Sequence, residues 1–400
     1  MNPEINTDQL TFFRNEIRTW LEANCPLSMR TPMLTNTDYY WGGTKAKFTS
    51  KDQEDWFNAC KEKGWLVPQW PKQYGGGGMS KVEFKIWREE MDRLGCRPPL
   101  FSFGIVMLGP VLLKFGTEEQ RLKYLPPIAR GEIRWAQGYS EPNAGSDLAS
   151  LQTKALDHGD YYVVNGQKVW TSYADQSDWI FCLVRTDFEA SKHRGISFLL
   201  IDMNSEGVST QPIKLISGKS PFCETFLDNV RVPKENLVGE PNVGWTIAKY
   251  LLSHEREMIG GLGDNAAVKN LAELAIETIG TQNGILADTS LRADITKWQI
   301  DKMAFDMTVE RMNDEAKAGQ SIGAEASFFK YYGTELNKDR LELTLAIAGS
   351  AGLEWEGEAS DEGAVARGFL RTKGNSIEGG TSEIQLNIVA KHILRLPSAL

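Results

Sequence analysis

The spacing of apolar residues divides the 400-residue chain into three stretches. Apolar positions recur at helical spacing over the first 130 residues, for example at Phe13 and Ile17. Residues 135–240 show the alternation of β-strands without a helix-length interruption, and helical spacing returns from Trp245. The pattern predicts an α+β multidomain fold, with an N-terminal α-helical domain, a middle antiparallel β domain and a C-terminal four-helix bundle over residues 1–132, 133–241 and 242–400.

Capping signals mark the ends of the predicted helices in the first stretch. Thr7 is the predicted cap of the first helix, and Pro26 is its predicted stop. A serine or threonine followed three residues later by glutamine or glutamate has the spacing of a capping box. This spacing predicts further helix starts at Ser50 with Gln53, Ser80 with Glu83 and Thr117 with Gln120. In the last stretch, candidate helices cover roughly residues 243–278, 288–317, 324–348 and 381–394.

A two-residue turn signal lies within the β stretch. In YYVVNGQKVW, residues 161–170, β-rich arms flank Asn165-Gly166. Asn-Gly between such arms favours the tight turn of a β-hairpin, because both residues tolerate positive φ. The sequence therefore predicts a hairpin that turns at Asn165-Gly166.

Composition and charge exclude several classes of function. A net charge of −9, without a local block of lysine or arginine, argues against a nucleic-acid-binding surface. No apolar run is long enough to span a membrane, and the polar start MNPEINTDQL lacks the pattern of a signal peptide. Five unpaired cysteines and four scattered histidines point away from a disulfide framework or a metal site. We therefore expect a cytoplasmic protein with reduced thiols and no bound metal.

Two segments carry residues suited to binding a cofactor. WAQGYSEPNAGSDLASL, residues 135–151, is rich in small and hydroxyl residues. Its backbone N–H groups could approach a phosphate or a planar ring, or the segment could be a plain Gly/Ser-rich linker. In KVWTSYADQSDW, Trp170 and Ser172 are two positions apart and would share one face of a strand. This pair could stack on an aromatic cofactor and bond to its edge, although most tryptophans are ordinary core residues.

Four motifs in this order and spacing resemble the acyl-CoA dehydrogenase family: GYSEPNAGSDLASL, NGQKVWTS, LDNVRVPKENLVG and EGGTSEIQLNIVAKHIL. GWLVPQWPKQYGG further resembles bacterial members that act on steroid side-chain or other branched acyl-CoA thioesters. The resemblance implies that the chain binds FAD and oxidises an acyl-CoA to the trans-2-enoyl-CoA. A base removes the proton α to the carbonyl while the β-carbon gives a hydride to flavin N5. An electron-transfer flavoprotein is the implied acceptor, and a homotetramer or dimer is the implied assembly.

The resemblance also assigns roles to individual residues. Trp170 matches the tryptophan that packs on the isoalloxazine ring, and Ser172 matches the hydroxyl near N5. Ser146 matches a position near the FAD pyrophosphate and the thioester. Thr381 and Glu383 match positions at the FAD diphosphate. The other positions implied to contact FAD are Gln137, Tyr139, Ser140, Gly349, Gly352 and Arg292, the last of which reaches the FAD of a neighbouring subunit.

The position of the catalytic base differs between branches of the family. Many members carry a glutamate in a Glu-Gly-Thr-Ser motif, and the matching residue here is Gly379, which has no proton acceptor. Glu378 lies one residue earlier, so its side chain should point elsewhere. In the long-chain and isovaleryl branches the glutamate lies on the first bundle helix, in a Glu-Arg dipeptide that Glu255-Arg256 matches. We therefore assign Glu255 as the base, with Glu378 as the runner-up.

The same resemblance implies how the developing charge and the substrate are held. The backbone N–H of Gly379, together with a ribityl hydroxyl of FAD, would stabilise the enolate-like oxygen of the thioester. Arg256 matches a position that helps to hold the substrate site together, and an ion pair with an adjacent helix is its alternative role.

Two other functions fit the same motifs. The chain could be a non-catalytic subunit that shares FAD contacts with an active paralogue, as in some heteromeric steroid-degrading relatives. It could also be a flavin oxidase or monooxygenase, because a fold does not determine a function. The intact Glu255-Arg256 and Trp170/Ser172 pairs favour the dehydrogenase. Fast reaction of the reduced flavin with oxygen would instead identify an oxidase or monooxygenase.

Overall fold

A computed structural model of the chain describes residues 7–33, 38–261, 270–317 and 323–397. The chain divides into two compact units, which comprise Met1–Ile213 with Pro221–Leu252, and Lys214–Ser220 with Ser253–Leu400. The first unit contains the N-terminal helices and a β-sheet, and the second unit is mainly helical. The domain boundaries predicted after residues 132 and 241 stay predictions.

Three of the N-terminal helices, α2, α3 and α5, begin where the capping signals at Ser50, Ser80 and Thr117 predict. The Ser50 hydroxyl accepts a hydrogen bond from the N–H of Gln53 at 3.1 Å, and the capping boxes of Ser80 and Thr117 are complete. The helices are α1 Thr7–Asn24, α2 Lys51–Glu62, α3 Lys81–Leu94, α4 Gly109–Phe115 and α5 Glu118–Ala129. Ile17 of α1 and Trp56 of α2 are fully buried in one core with apolar residues of α3.

An eight-stranded sheet is the second main part of the first unit. The strand order is β6-β7-β3-β2-β4-β5-β8, and β1 pairs with β4. Most pairs are antiparallel, so the predicted antiparallel β domain is confirmed, with parallel contacts of β1 and β2 to β4 in addition. The strands are β1 Trp135–Gly138, β2 Lys154–Asp157, β3 Tyr161–Ser172, β4 Trp179–Arg185, β5 Ile196–Asp202, β6 Val208–Ile213, β7 Phe222–Pro233 and β8 Leu237–Val238.

The hairpin predicted at Asn165-Gly166 is wrong. β3 is continuous through these residues, because both of its arms pair with the same strand, β7. The register shifts beside Asn165, where β7 has one residue more than β3. Asn229 of β7 adopts the positive φ of +53°, and its N–H donates to Oδ1 of Asn165 at 2.9 Å. Gly166 allows close approach instead of a turn, since a Cβ would lie 2.7 Å from Cα of Thr153.

The second unit contains most of the C-terminal helices. The single helix predicted over 243–278 is two helices, and the intervening residues 262–269 lie outside the described part of the chain. A short helix, α10, occupies a stretch that the apolar pattern left unassigned. From Gly244 onward the elements are α6 Gly244–Gly261, α7 Leu271–Ile279, β9 Thr281–Gln282, β10 Ile285–Leu286, α8 Thr289–Lys317, α9 Glu325–Ala348, α10 Ala364–Thr372 and α11 Ser382–Ile388.

The described residues contain neither a candidate membrane-spanning helix nor a candidate metal-binding cluster. Among them, no helix combines the length and apolar character that crossing a bilayer requires. Their His, Cys, Asp and Glu side chains form no group of three or more suited to hold a metal ion.

Candidate active site

The segment expected beside the flavin begins on β1. Gly138 ends this strand and packs tightly on β4, since a Cβ would lie 2.7 Å from Cδ1 of Ile180. Gln137, one residue earlier, is half-buried. The ring of Tyr139 is buried and meets the Phe181 ring edge-on, with the ring centres 6.2 Å apart. The Tyr139 ring therefore belongs to the core of this unit.

A buried ion pair fixes the chain directly after β1. Lys168 of β3 is 0% exposed, and its Nζ lies 2.8 Å from Oε1 of Glu141. The same Nζ donates to the carbonyl of Tyr139 at 3.1 Å. The carboxylate of Glu141 also accepts bonds from the N–H and hydroxyl of Thr153 and from the N–H of Gln152, at 2.9, 2.6 and 2.6 Å. The segment is thus tied to β3 and to the residues before β2.

This environment keeps Glu141 ionised. Burial would raise its pKa, but the Lys168 ammonium and the hydrogen bonds from Thr153 and Gln152 outweigh burial and hold the pKa below its usual value. A buried carboxylate is tolerated when its charge and its lone pairs are satisfied, as they are here.

The turn after the ion pair presents small residues to solvent. Glu141 and Ala144 exchange two backbone hydrogen bonds of 3.0 Å, which close a tight turn. Gly145 and Ser146 follow it and are exposed, and a Cβ at Gly145 would meet no atom within 4 Å. Ser140, before the turn, is half-buried, and its carbonyl accepts from the N–H of Val169 at 2.9 Å. A braced turn is thus followed by open space at the residues predicted to approach FAD.

Trp170 lies on β3 in a left-handed backbone conformation, with φ +60°. Here β3 has one residue more than β7, because the register shifts between Lys168 and Thr171. The Trp170 side chain is 54% exposed, and its ring meets the Phe222 ring edge-on at 6.0 Å between centres. A bulky residue in this conformation costs about 1–3 kcal/mol, and such strain concentrates at functional sites. The bulge thus presents an aromatic ring that can stack on a planar ligand.

Ser172 ends the same strand and is half-buried. Thr171, between it and Trp170, is buried, so the two predicted cofactor contacts both lie on the accessible side of the strand despite the bulge. Tyr173 follows with φ +51°, and its N–H donates to the carbonyl of Pro221 at 2.8 Å. Backbone pairing therefore holds the strand end that carries both side chains.

In the second unit, neighbouring side chains engage Glu378. Nη1 and Nη2 of Arg371 donate to its two carboxylate oxygens at 3.2 and 2.8 Å. Nδ2 of Asn375 donates to the first of these oxygens at 2.6 Å. Both oxygens therefore make structural bonds, an arrangement typical of an ion pair that fixes a turn.

Two glycines follow Glu378 in the left-handed region, Gly379 with φ +65° and Gly380 with φ +92°. Nε2 of Gln385 donates to their carbonyls at 3.1 and 3.4 Å, and a Cβ at Gly380 would lie 2.4 Å from that nitrogen. Within the described ranges, the N–H of Gly379 donates to no acceptor. The turn therefore holds a backbone N–H that a ligand oxygen can accept from.

The predicted diphosphate contacts lie at the start of α11. Thr381 caps this helix, and its Oγ1 accepts from the N–H of Ile384 at 3.3 Å. Glu383 is exposed in the first turn, where bonds from its own N–H and from the Thr381 hydroxyl lower its pKa. Its charge is thus directed to the helix N-terminus, which favours anions.

Three further residues expected near FAD lie elsewhere in the second unit. Gly349 directly follows α9, with φ +57° and open space at its Cβ position. Gly352 is buried, and a Cβ there would lie 2.9 Å from Cβ of Ala348. Arg292 is exposed in the first turn of α8 and lines, with Thr296, a surface groove of about 570 Å³. The catalytic pair Glu255 and Arg256 falls in α6, but their side chains lie outside the described residues, so their roles stay predictions.

Two charged residues of these sites were missed by motif reading. The burial of Lys168 could have been predicted from the alternation of β3. Lys168 shares the inward positions of this strand with Tyr162 and Val164, so the pattern places a lysine in the core. The role of Arg371 could not have been predicted from the sequence pattern, because its pairing with Glu378 depends on the turn between α10 and α11.

Comparison with known proteins identifies the family. Models of the N-terminal, middle and C-terminal domains of acyl-CoA dehydrogenases match residues 37–132, 136–230 and 242–394. Acyl-CoA dehydrogenase IpdE1 of Mycobacterium tuberculosis is 33% identical over 389 residues, which cover 96% of this chain and 97% of that protein. A chain of the Tcur3481-Tcur3483 steroid ACAD is 32% identical with a TM-score of 0.75, covering 98% of this chain and 99% of that chain. A chain of the ChsE4-ChsE5 complex from Mycobacterium tuberculosis is 29% identical with a TM-score of 0.72, covering 99% and 100%. The predicted family is thereby confirmed: the chain belongs to the acyl-CoA dehydrogenase family of oxidoreductases, whose members are flavoproteins.

Proposed function

We propose that this chain binds FAD and oxidises an acyl-CoA thioester to the trans-2-enoyl-CoA, with Glu255 as the base. The observation that carries the proposal is the exposed ring of Trp170 on a strained bulge, with Ser172 accessible on the same strand. The exposed Gly145 and Ser146, in the segment after β1, also fit a flat ring joined to a diphosphate. Thr381 and Glu383 are proposed to contact the diphosphate because they match family positions. Bound FAD would supply the acceptor for the hydride that leaves the β-carbon.

The engagement of Glu378 supports Glu255 as the group that accepts the α-proton. Proton abstraction needs a carboxylate oxygen within hydrogen-bond reach of the carbon-bound proton. Both oxygens of Glu378 are held by Arg371 and Asn375, and Gly379 offers no side chain. Glu255 matches the base position of the long-chain and isovaleryl branches, and its use as the base would leave this ion pair intact.

The Gly379 N–H is proposed to stabilise the negative charge that forms on the thioester oxygen. A fixed N–H aimed at the position of developing charge is worth about 3–4 kcal/mol in acyl-transfer enzymes. Gln385 braces the following peptide through the Gly379 carbonyl, and no acceptor among the described residues competes for the N–H. Ser146 and Arg256 are proposed to contact the substrate.

Anaerobic mixing with a panel of CoA thioesters tests the function. Straight, branched, aromatic and steroid side-chain thioesters would be added to the flavin-loaded protein, and loss of the yellow colour would be followed. Bleaching and an enoyl-CoA product two hydrogens lighter are expected, most rapidly with branched or steroid side-chain thioesters. The proposal would be contradicted if none of the thioesters in the panel bleached the flavin. Rapid recolouring by air, without an electron-transfer flavoprotein, would instead indicate an oxidase.

Replacing Trp170 by Ala is expected to weaken FAD binding about tenfold or more. Stacking of a flat heteroaromatic ring on an aromatic side chain is worth about 1–3 kcal/mol. The Kd for FAD, measured by flavin fluorescence, checks this, and Trp170→Phe should retain most of the affinity. Phe188→Ala is the matched control, because Phe188 is an exposed aromatic residue of the same unit at 44% exposure. An unchanged Kd in Trp170→Ala would remove the ring from the FAD site.

A second candidate, a subunit that shares FAD contacts with a paralogue, is favoured by the heteromeric names of the ChsE4-ChsE5 and Tcur3481-Tcur3483 structures. The apolar side chains Ile300, Met303 and Met307, 63–65% exposed along α8, offer a surface for either kind of assembly. We propose a homo-oligomer, with a homotetramer as the expected state. Purified alone, the chain should then carry FAD as a homo-oligomer. A flavin-free protein that loads only after mixing with a paralogue would favour the second candidate.

A further inference from the structure

Lys330, on α9, is a buried lysine that no motif marks. Its side chain is 2% exposed, and its Nζ donates to the carbonyl of Asn375 at 2.9 Å. The Lys330 ammonium donates no second hydrogen bond to any of the described residues. Burial lowers its pKa, although the charges of Glu378 and Glu335 act in the opposite direction. A buried ammonium with a carbonyl as its partner is costly, so a role beyond packing is indicated.

Two more residues of α9 hold the same turn. Asn337 lies two helical turns after Lys330 and therefore on the same face of α9. Its Nδ2 donates to Oδ1 of Asn375 at 2.9 Å. Lys338 is next to it, and its Nζ donates to Oγ of Ser376 at 2.5 Å. One face of α9 thus fixes both the main chain and the side chain of Asn375, and the residue after it.

Asn375 in turn is coupled to Gly379 through a short, bonded path. The N–H groups of Ile377 and Glu378 both donate to the carbonyl of Gly374, at 2.9 and 3.0 Å, so the intervening chain is a compact turn. Nδ2 of Asn375 also donates to the carboxylate of Glu378. A displacement of Asn375 would therefore be carried to the peptide between Glu378 and Gly379.

We propose that Lys330 is a positioning residue for the Gly379 N–H, which it aligns through the Asn375 carbonyl. The inference rests on the proposed role of that N–H in holding the thioester oxygen. Misalignment of a hydrogen-bond donor weakens it steeply, so a small shift of the turn reduces stabilisation of the oxyanion more than it reduces substrate binding.

The pH at which bound acetoacetyl-CoA ionises reports this stabilisation directly. The enolate of this ligand puts negative charge on the oxygens of a CoA thioester, and its absorbance follows ionisation in the flavin-loaded protein without turnover. In Lys330→Met the ionisation should need about one pH unit more, which corresponds to a tenfold weaker stabilisation. With an oxidisable substrate, kcat should fall about tenfold while KM changes less than threefold. Lys330→Arg should restore part of both effects.

Two further variants separate positioning from loss of charge or of folding. Asn337→Ala should shift the ionisation in the same direction by a smaller amount, and because Asn337 is neutral that shift cannot come from a lost positive charge. It also provides the decisive measurement if Lys330→Met does not fold. Lys373→Met is the matched control, since Lys373 lies on the same turn in an exposed pair with Glu342 and should leave the ionisation unchanged.

The outcomes distinguish this inference from the proposed function. If the wild-type protein does not make acetoacetyl-CoA more acidic than it is in water, the role of the Gly379 N–H is wrong, and the basis of the inference fails with it. A different result is possible if the wild-type protein does make acetoacetyl-CoA more acidic. If folded Lys330→Met then ionises the ligand at the wild-type pH, the positioning role of Lys330 is wrong while the role of Gly379 stands. If Lys330→Met does not fold, the same result in Asn337→Ala leads to the same conclusion.

Discussion

Replacing Glu255 by Gln is expected to leave a yellow, FAD-loaded protein that no longer bleaches with its substrate. The amide is nearly isosteric with the carboxylate but cannot accept the α-proton. A positioned general base contributes roughly 10²–10⁴ in rate, so a loss of that size in the rate of anaerobic bleaching is expected. Stopped-flow absorbance measures this rate, and the Kd for FAD should be unchanged.

Two matched variants test whether this loss is specific. Glu257→Gln alters a carboxylate on the same helix, two residues away, which should point in a different direction and should leave the rate nearly unchanged. Glu378→Gln breaks the ion pair with Arg371 and should cost stability more than it costs the chemical step. Full activity in Glu255→Gln, together with an inactive but folded Glu378→Gln, would move the base to Glu378.

Replacing Lys168 by Met is expected to destabilise the protein by about 3–5 kcal/mol, because the Glu141 carboxylate would remain buried without its cation. For a unit of this size, the expected fall in Tm is roughly 6–20 °C. The Kd for FAD should also rise, because Nζ of Lys168 holds the carbonyl of Tyr139, directly before Ser140. Thermal unfolding and FAD titration measure the two effects.

The control for this prediction is another lysine–carboxylate pair in the same unit. Lys192 and Asp147 lie 2.6 Å apart but are 60% and 58% exposed. Removal of Lys192 should therefore cost at most about 1 kcal/mol. A Lys168→Met/Glu141→Gln double variant should recover part of the lost stability. A fall in Tm no larger for Lys168→Met than for Lys192→Met would contradict the argument.

The loss on replacing Lys168 should also depend on pH. The pKa of Glu141 is lowered in the fold, so the stability that its charged form contributes is present above its usual value of 4.5. That contribution is lost as the pH falls through the lowered pKa of the folded state. The wild type and Lys168→Met should therefore converge in stability under strongly acidic conditions.

Features set by neighbours in the sequence were predictable. The helix starts at Ser50, Ser80 and Thr117 follow from residues three positions apart. Both capping-box bonds form at Ser80 and Thr117, and at Ser50 the hydroxyl accepts from Gln53 while the Gln53 side chain accepts from Thr49. Trp170 and Ser172 were placed on one accessible side of a strand for a similarly local reason, the two-residue period of β structure.

Features set by distant partners were not predictable. Asn165-Gly166 has the local chemistry of a hairpin, but β7 pairs with both of its arms, and this pairing overrides the local preference. In the sequence, Lys330 looks like an ordinary helix residue. Its role depends on the packing of α9 beside the turn that contains Asn375, 45 positions later. Both cases depend on which elements meet, and that information is not contained in a window of ten residues.

The bulge at Trp170 implies that chain length, as well as residue identity, is under constraint at this end of β3. Removal of one residue between Lys168 and Thr171 would restore equal counts on β3 and β7, and regular pairing would then leave no bulge to hold Trp170 in its left-handed conformation. Single-residue deletions here should therefore be tolerated far less than substitutions, and natural relatives that keep the flavin should show no gap across these positions.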